Sequence, residues 1–377
     1  MWEVEDRGFL PNEDPIKLIK NPTEESTYSY IWVDRLGMNL AEYLRDRKVR
    51  EELVCELRGT KMKLIEGMAE KTESMETVER LMCLYSYFAS AYVYATDENP
   101  ATRLPVEIAR PLATLAKRCG RHPILSYASY CLYNWERIET DKPVELGNIQ
   151  LLQKFVHTDI DGSVDEDWFI LVHVDIEAKA AKGIRAIKRA QAEQDPQEVK
   201  ACLADMAESL WEMNRTMDRM PEYCRPDYYF RKVRPYIFSF ENMKYEGVFD
   251  DLMTFRGETG AQSSVVPAFQ IALGVVHKDS KLTQHLDIMR EYMPKPHRLF
   301  LAHLEKQPPI REFVLANLEL KDAYNECVNQ LAKFRKTHLQ YAVEYIQKKV
   351  ENPKGTGGTP YIPWLSQLAE ETKAFLM

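Results

Sequence analysis

A histidine and an arginine near the C-terminus are the residues whose types and spacing point most directly to chemistry. They are Arg335 and His338, in residues 332–342. In a helix, residues three positions apart lie on the same side, so the two side chains point the same way. An imidazole that leaves an apolar helix face for a dry cavity suits an axial haem ligand, and the neighbouring guanidinium suits an acidic group such as a haem propionate. On pattern alone, a lone histidine on an apolar face is more often a hydrogen-bonded core residue.

The element that must carry this pair is a long helix. Residues 310–352 contain neither Gly nor Pro and are rich in helix formers, and Asn352-Pro353 is predicted to end the helix. Arg335 and His338 lie at the edge of an apolar stripe with steps of three and four residues. The stripe consists of Val328, Leu331, Ala332, Leu339, Ala342, Tyr345 and Ile346.

Composition limits the classes of function. The 377 residues are 45% hydrophobic and 29% charged, which is typical of a globular protein with one large or two ordinary domains. The net charge of −8 argues against nucleic acid as a partner, because proteins that bind it carry basic surfaces. No apolar run approaches 18 residues, so no transmembrane helix is expected. The partner is expected to be a small molecule or another protein.

Cysteine usage and the N-terminal residues indicate the compartment. The cysteines are odd in number and form no CxxC, which excludes a zinc ribbon or a thioredoxin-type motif and favours free thiols in a reducing compartment. The first six residues are acidic and lack the features of a signal peptide. We therefore predict a cytoplasmic protein. The cysteines are Cys55, Cys83, Cys119, Cys131, Cys202, Cys224 and Cys327.

Helical periodicity dominates the rest of the chain. Residues 76–94 are apolar on nearly all sides, which predicts a buried helix. Residues 124–135 are predicted to form an aromatic helix, either in the core or lining a pocket. Residues 168–182 begin with Val and Ile but continue with strong helix formers, so one helix is predicted there. Asp195-Pro196 is typical of a helix start, and this helix is expected to end near Met220.

No strand alternation, repeat or low-complexity tract stands out, so the predicted fold class is all-α. The stretch from residue 139 to residue 143 is typical of a linker. We therefore predict two helical domains, a small one over residues 1–145 and a large one over residues 146–377.

Three further features are candidates for a binding site. His173 is a second single imidazole among apolar residues. Residues 255–264 contain two glycines and small hydroxyl residues, which let a backbone approach a planar ligand closely. Phosphate binding is a poor interpretation of this loop, since GxxxxGK[ST] is absent. Gly355-Thr356-Gly357-Gly358-Thr359 is typical either of a lid that orders over a ligand or of a flexible linker.

Several phrases follow one another in a fixed order from Gly8 almost to the C-terminus. They are Leu125-Ser126-Tyr127-Ala128 with Asn134-Trp135, Trp168-Phe169 through Ile176-Glu177-Ala178, Phe230-Arg231-Lys232-Val233-Arg234-Pro235, Tyr245-Glu246-Gly247, Gly257-Glu258-Thr259-Gly260-Ala261-Gln262-Ser263-Ser264, Met289-Arg290-Glu291-Tyr292-Met293-Pro294 with His297-Arg298, His338-Leu339-Gln340, and residues 355–359. In this ordered set the chain resembles the indoleamine 2,3-dioxygenase family of haem enzymes.

The resemblance implies haem b in the large C-terminal domain. His338 matches the proximal iron ligand, and Arg335 matches an arginine that contacts a haem propionate. Ser263 is expected at the cofactor. Gln270 stands where some relatives carry an aspartate, which leaves open how the charge of Arg335 is balanced.

The resemblance also implies a substrate site. Tyr229 and Phe230 match two aromatic residues, both Phe in the mammalian enzymes, that pack on the substrate indole. Arg234 matches the arginine that binds the amino-acid carboxylate, and Thr356 belongs to a loop that closes on the substrate. The remaining residues expected at the substrate are Tyr127 and Gly260.

His173 departs from the family pattern. The mammalian enzymes have Ser at the matching position, whereas the related tryptophan 2,3-dioxygenases place a distal His there. Its expected catalytic role is open between orienting the indole N–H and hydrogen-bonding dioxygen.

Physical chemistry agrees with these roles. Tryptophan has a flat apolar ring and a zwitterionic tail, so its site needs aromatic residues and an arginine with a bidentate grip. Ferrous iron held by a neutral histidine leaves its opposite face free for dioxygen. Without the resemblance, Tyr229 and Phe230 read as core residues and Arg234 as half of a surface ion pair.

The function implied is a dioxygenase that inserts both atoms of O2 across C2–C3 of L-tryptophan, the first step of the kynurenine pathway, giving N-formylkynurenine. The expected form is a monomer. One alternative is an oxygen-binding haem protein, since the myoglobins of some molluscs resemble this family. Arg234 and the loop at Thr356 favour the enzyme, because an oxygen carrier has no use for a carboxylate clamp. The other alternative is a haem-free helical interaction protein.

Overall fold

The structure is a computed structural model that describes residues 6–19, 31–95, 99–157, 162–349 and 361–377. Its first part is a group of helices around one long buried helix, with a short strand before the last of them. The elements are α1 (Ile31–Met38), α2 (Leu40–Arg45), α3 (Val49–Leu57), α4 (Thr60–Lys71), α5 (Met75–Val93), β1 (Arg103–Leu104) and α6 (Val106–Cys119).

Helix α5 is the centre of this group, as its sequence predicts. Ser74 caps it by accepting a hydrogen bond from the backbone N–H of Thr77 at 3.1 Å. Nearly every residue from Thr77 to Val93 is buried, because other elements cover the helix on all sides. Two buried ion pairs, Arg80 with Asp34 and Arg121 with Glu79, tie α5 to its neighbours.

Longer helices dominate the second part. The elements are β2 (Trp135–Arg137), β3 (Ile149–Leu151), α7 (Asp165–Ala192), α8 (Pro196–Asp218), α9 (Pro226–Tyr228), β4 (Phe240–Tyr245), β5 (Met253–Phe255), α10 (Val265–Ala272), α11 (Lys281–Arg290), α12 (Lys295–Leu304), α13 (Ile310–Ala316), α14 (Lys321–Tyr345) and α15 (Tyr361–Lys373).

Helices α7, α8, α14 and α15 pack in succession and form the frame of the site. Asp195 caps α8 by accepting a hydrogen bond from the backbone N–H of Gln197 at 2.9 Å, which confirms the predicted helix start. Helix α14 lies between α8 and α15, and its apolar stripe is buried at Val328, Leu331 and Ala332. The helix predicted to carry Arg335 and His338 is therefore confirmed.

The all-α fold class is confirmed, although short strands form two small sheets. In one sheet β4 lies between β1, to which it is parallel, and β5, to which it is antiparallel. In the other, β2 and β3 are antiparallel. The division near residue 145 stays a prediction. Among the described residues, no helix is both long and apolar enough to cross a membrane.

Two local predictions are wrong. Residues 124–135 form only one π-helical turn, Ala128–Leu132, before strand β2. The Asn134 side chain donates to the Tyr87 hydroxyl and to the carbonyl of Gln153, and such side-chain bonds offer an alternative to a helical ladder.

The second wrong prediction is the C-terminal end of the helix that carries His338. Helix α14 ends at Tyr345 and is followed by a 3₁₀ turn, Gln347–Lys349. Asn352-Pro353, expected to end it, lies outside the described residues.

Candidate functional site

One cavity of about 480 Å³ lies among α7, α8, α10, α11, α14 and α15. Its volume is within the range of about 300–1,000 Å³ that is common for small-molecule and cofactor sites. Apolar side chains such as Ile176, Met213 and Phe334 make up much of its wall. Six of the residues predicted for the site line it: Tyr127, His173, Gly260, Ser263, Arg335 and His338.

The other predicted residues lie elsewhere. Tyr229, Phe230 and Arg234 do not line the cavity, and they belong to the turns between α9 and β4. Thr356 lies outside the described residues.

His338 projects from α14 into the cavity. Its side chain is exposed, and it forms part of the wall of the void. It has no hydrogen-bond partner among the described residues. Burial and the nearby His173 lower the pKa of His338 to about 4, so the imidazole is neutral at pH 7. A neutral imidazole with a free nitrogen lone pair is the form that binds iron.

His173 projects from α7 into the same cavity, and one contact fixes its tautomer. Its Nδ1 lies 2.7 Å from the backbone carbonyl oxygen of Phe169. A carbonyl only accepts, so Nδ1 carries the hydrogen. Burial lowers the pKa of His173, so the ring is neutral and Nε2 is an acceptor.

A buried carboxyl group ties together two other residues of the cavity wall. Glu177 lies one helical turn after His173, and its Oε1 accepts from the Tyr127 hydroxyl at 2.9 Å and the Ser263 hydroxyl at 2.6 Å. Its Oε2 is buried without a hydrogen-bond partner among the described residues. Burial raises the pKa of Glu177 to about 7. Both hydroxyls donate to Glu177. Tyr127 therefore contributes its ring to the cavity wall, and Glu177 fixes the orientation of Ser263.

The glycine-containing loop forms a tight turn at the cavity edge. Gln262 holds it, since its Oε1 accepts from the Tyr127 backbone N–H at 2.9 Å and its Nε2 donates to the Gly257 carbonyl at 2.9 Å. A side chain at Gly257 would lie 2.2 Å from the Ile237 carbonyl oxygen, so only glycine fits there. A Cβ at Gly260 would meet nothing within 4 Å. The space beside Gly260 is therefore available to a ligand.

An aromatic series connects the cavity with the more distant predicted residues. The Phe169 ring centroid lies 4.7 Å from that of His173 and 4.4 Å from that of Tyr229. Arg234 is buried, and its guanidinium carbon lies 4.7 Å from the Phe238 ring centroid and 5.5 Å from that of Phe230. Arg234 is therefore a buried cation beside aromatic rings and not a surface residue.

Arg335 lines the cavity beside α15. Its Nη2 donates to Gln270 Oε1 at 2.6 Å, and its Nη1 donates to His277 Nε2 at 3.0 Å and to the Thr372 hydroxyl. Burial lowers the pKa of Arg335 to about 10, and the charge of Glu371 partly offsets this effect. The guanidinium stays charged at pH 7.

Comparison with known proteins decides the family. The sequence model of indoleamine 2,3-dioxygenase matches residues 1–375. The chain belongs to the indoleamine 2,3-dioxygenase family. It is 32% identical to indoleamine 2,3-dioxygenase 1 of Rattus norvegicus, with 97% of this chain and 94% of the relative covered.

Two other relatives give the same result. The mouse (Mus musculus) indoleamine 2,3-dioxygenase 1 is 35% identical over 77% of this chain and 78% of the relative. The indoleamine 2,3-dioxygenase of Saccharomyces cerevisiae is 30% identical over 97% of this chain and 91% of the relative. The indoleamine 2,3-dioxygenase family is a family of haem-dependent dioxygenases.

The residues present fit a haem. Within the described ranges, no group of three His, Cys, Asp or Glu residues could hold a metal ion by itself. Haem iron brings four nitrogen ligands of its own and needs a single protein ligand, which His338 can supply. The buried cation of Arg335 suits a haem propionate. The apolar wall and the open space beside Gly260 suit the flat macrocycle.

Sequence reasoning missed the residues that hold the wall of this cavity in place. They are Glu177, Gln262, His277 and Glu371. A signal existed for Glu177, because an acidic residue one turn after His173 shares its helix face. We found no sequence signal for His277, whose partners lie on separate helices.

Proposed function

We propose that this protein is a haem-dependent dioxygenase that inserts both atoms of O2 across C2–C3 of L-tryptophan and forms N-formylkynurenine. The observation that carries the proposal is the placement of His338. Its neutral imidazole opens into an apolar cavity and is not hydrogen-bonded to any described residue, and Arg335 lies one turn earlier on the same face.

His338 would hold the iron, and Arg335 would bind a propionate. Bound haem would supply the redox-active iron that activates dioxygen. Tyr127 and Ser263, held by Glu177, would fix one wall of the site. The apolar residues around the cavity would exclude water from the reacting atoms.

The substrate would lie on the side of the cavity that His173 lines. Phe169 contacts both His173 and Tyr229, so the aromatic surface continues from the cavity to Tyr229 and Phe230. Arg234 would bind the carboxylate of the amino acid. Gly260 and Thr356 would complete the site.

The tautomer of His173 favours one of its two expected roles. Nε2 carries a lone pair, because Nδ1 donates to the Phe169 carbonyl. It would therefore accept the indole N–H and orient the ring. Donation to dioxygen would require a protonated ring, which burial disfavours.

An oxygen-binding haem protein is the second candidate. Ferrous haem-loaded protein is mixed with air and L-tryptophan, and the absorbance of N-formylkynurenine is followed. Steady product formation supports the enzyme. A stable oxygen complex without product supports the carrier instead.

A further inference from the structure

Among the described residues, the hydrogen-bond acceptors of the Arg335 guanidinium are all neutral. They are Gln270 Oε1 at 2.6 Å, His277 Nε2 at 3.0 Å, the Leu368 carbonyl at 3.3 Å and the Thr372 hydroxyl. Among the described residues, no carboxylate lies within ion-pair distance of it. A buried cation without a counter-charge is costly, so the source of that charge matters.

The carboxylate of Glu371 lies near Arg335 but is separated from it by His277. Nδ1 of His277 lies 2.7 Å from Glu371 Oε2, and the His277 side chain is only 2% exposed. A carboxylate only accepts, so Nδ1 carries the hydrogen and Nε2 accepts from Arg335. Burial and the charge of Arg335 lower the pKa of His277, which keeps the ring neutral. The imidazole thus bridges an anion and a cation.

The bridge connects α14 with α15. Glu371, Thr372 and Leu368 all belong to α15, whereas Arg335 belongs to α14. Gln270, on α10, supplies an amide oxygen where a carboxylate would be the direct partner. Among the described residues, the negative charge that acts on Arg335 therefore comes from Glu371 on α15.

We propose that His277 is a positioning residue that relays the charge of Glu371 to Arg335. By this relay, α15 sets the strength with which Arg335 attracts an anionic group in the cavity. The relay supplies a counter-charge for Arg335 although the residue at position 270 is the neutral Gln. Only the identity of that anion, a haem propionate, rests on the proposed function.

The relay is tested first without cofactor, by thermal unfolding of the apo protein. Glu371→Gln keeps an acceptor for His277 but removes the charge, and we expect the Tm to fall by about 1–3 °C. In a His277→Leu background the same change is expected to lower the Tm by less than about 0.5 °C. Glu370→Gln, an exposed neighbour on α15, is the matched control and is expected to leave the Tm unchanged.

Equal Tm losses from Glu371→Gln in the two backgrounds would overturn the relay. If His277→Leu does not fold, Gln270→Asp replaces it as the background. This change places a carboxylate beside Arg335, so the loss from Glu371→Gln is expected to shrink. An undiminished loss there would likewise overturn the relay.

A second measurement identifies the anion. Hemin-loaded protein is mixed with excess apomyoglobin, and the rate of hemin loss is followed. Glu371→Gln leaves Arg335 with less counter-charge, so hemin loss is expected to slow at least about threefold, and Gln270→Asp is expected to speed it. Coupled Tm values with unchanged hemin loss would keep the relay and overturn the assignment of the anion to haem.

Discussion

Nδ1 of His173 donates to the backbone carbonyl of Phe169, 2.7 Å away on the preceding turn of α7. This bond fixes the ring so that Nε2, which has a lone pair, faces the cavity. The same helix carries Glu177, so one face of α7 supplies both the proposed acceptor for the substrate and the carboxyl group that holds Tyr127 and Ser263.

His173→Ala is expected to raise KM for L-tryptophan about tenfold, because a hydrogen bond to the indole N–H is lost. The matched probe is 1-methyl-L-tryptophan, which lacks this N–H. The Kd of 1-methyl-L-tryptophan, measured from the haem spectrum, is expected to be the same for the native protein and for His173→Ala. An equal loss of affinity for the two ligands would exclude the proposed hydrogen bond.

Glu177 is expected to make stability depend on pH. Its pKa is about 7 in the folded protein, whereas the ordinary value is 4.5. Between these pH values the unfolded chain has released a proton that the folded protein keeps, so the free energy of unfolding falls as the pH rises, by about 3 kcal/mol in total.

Glu177→Gln removes this titration and keeps an acceptor for Tyr127 and Ser263. The native apo protein is expected to lose stability from pH 5 to pH 7.5 because Glu177 ionises, and the variant is not. The Tm of the variant minus the Tm of the native protein is therefore expected to rise over this range. Glu198→Gln, at an exposed position of α8, serves as the control. A constant difference across this range would show that Glu177 is ionised throughout.

Gly260→Ala is expected to affect binding but not folding. The added methyl group meets no atom within 4 Å and points into open space at the cavity edge. The Tm of the apo protein is expected to change by less than about 1 °C, while KM for L-tryptophan rises severalfold. Gly67→Ala on α4, which also meets nothing within 4 Å, is the control distant from the site. An unchanged KM would remove Gly260 from the substrate site.

Arg234→Ala is expected mainly to raise KM for L-tryptophan, by about 10–100-fold, because carboxylate recognition is lost. Tryptamine has no carboxylate, so its KM is expected to be the same with and without Arg234. Arg234→Lys keeps the charge but loses the planar guanidinium that can make two parallel hydrogen bonds. Its KM for L-tryptophan is expected to lie between those of the native protein and Arg234→Ala. An equal rise for both substrates would mean that Arg234 acts by packing against Phe230 and Phe238.

Local periodicity predicted those parts of the site that lie on one element. Arg335 and His338 share a face of α14 because residues three apart always do in a helix, and the helix itself followed from composition. The capped start of α8 and the burial of α5 were predictable for the same reason.

Contacts between distant segments were not predictable in this way. Glu177 receives donors from residues 50 and 86 positions away, and His277 meets Glu371 across 94 positions. These pairs depend on how the helices pack, and no local pattern encodes that. The π-helical turn after residue 127 was missed for a similar reason, since Asn134 bonds to Gln153 from a separate segment.

The most direct measurement is a titration of the apo protein with hemin, followed by the Soret band. We expect one hemin per chain for the native protein and a shifted, weakened Soret band for His338→Ala, because the iron would lose the ligand that His338 supplies. A native protein that takes up no hemin, or a His338→Ala variant with an unchanged Soret band and affinity, would exclude His338 as the iron ligand.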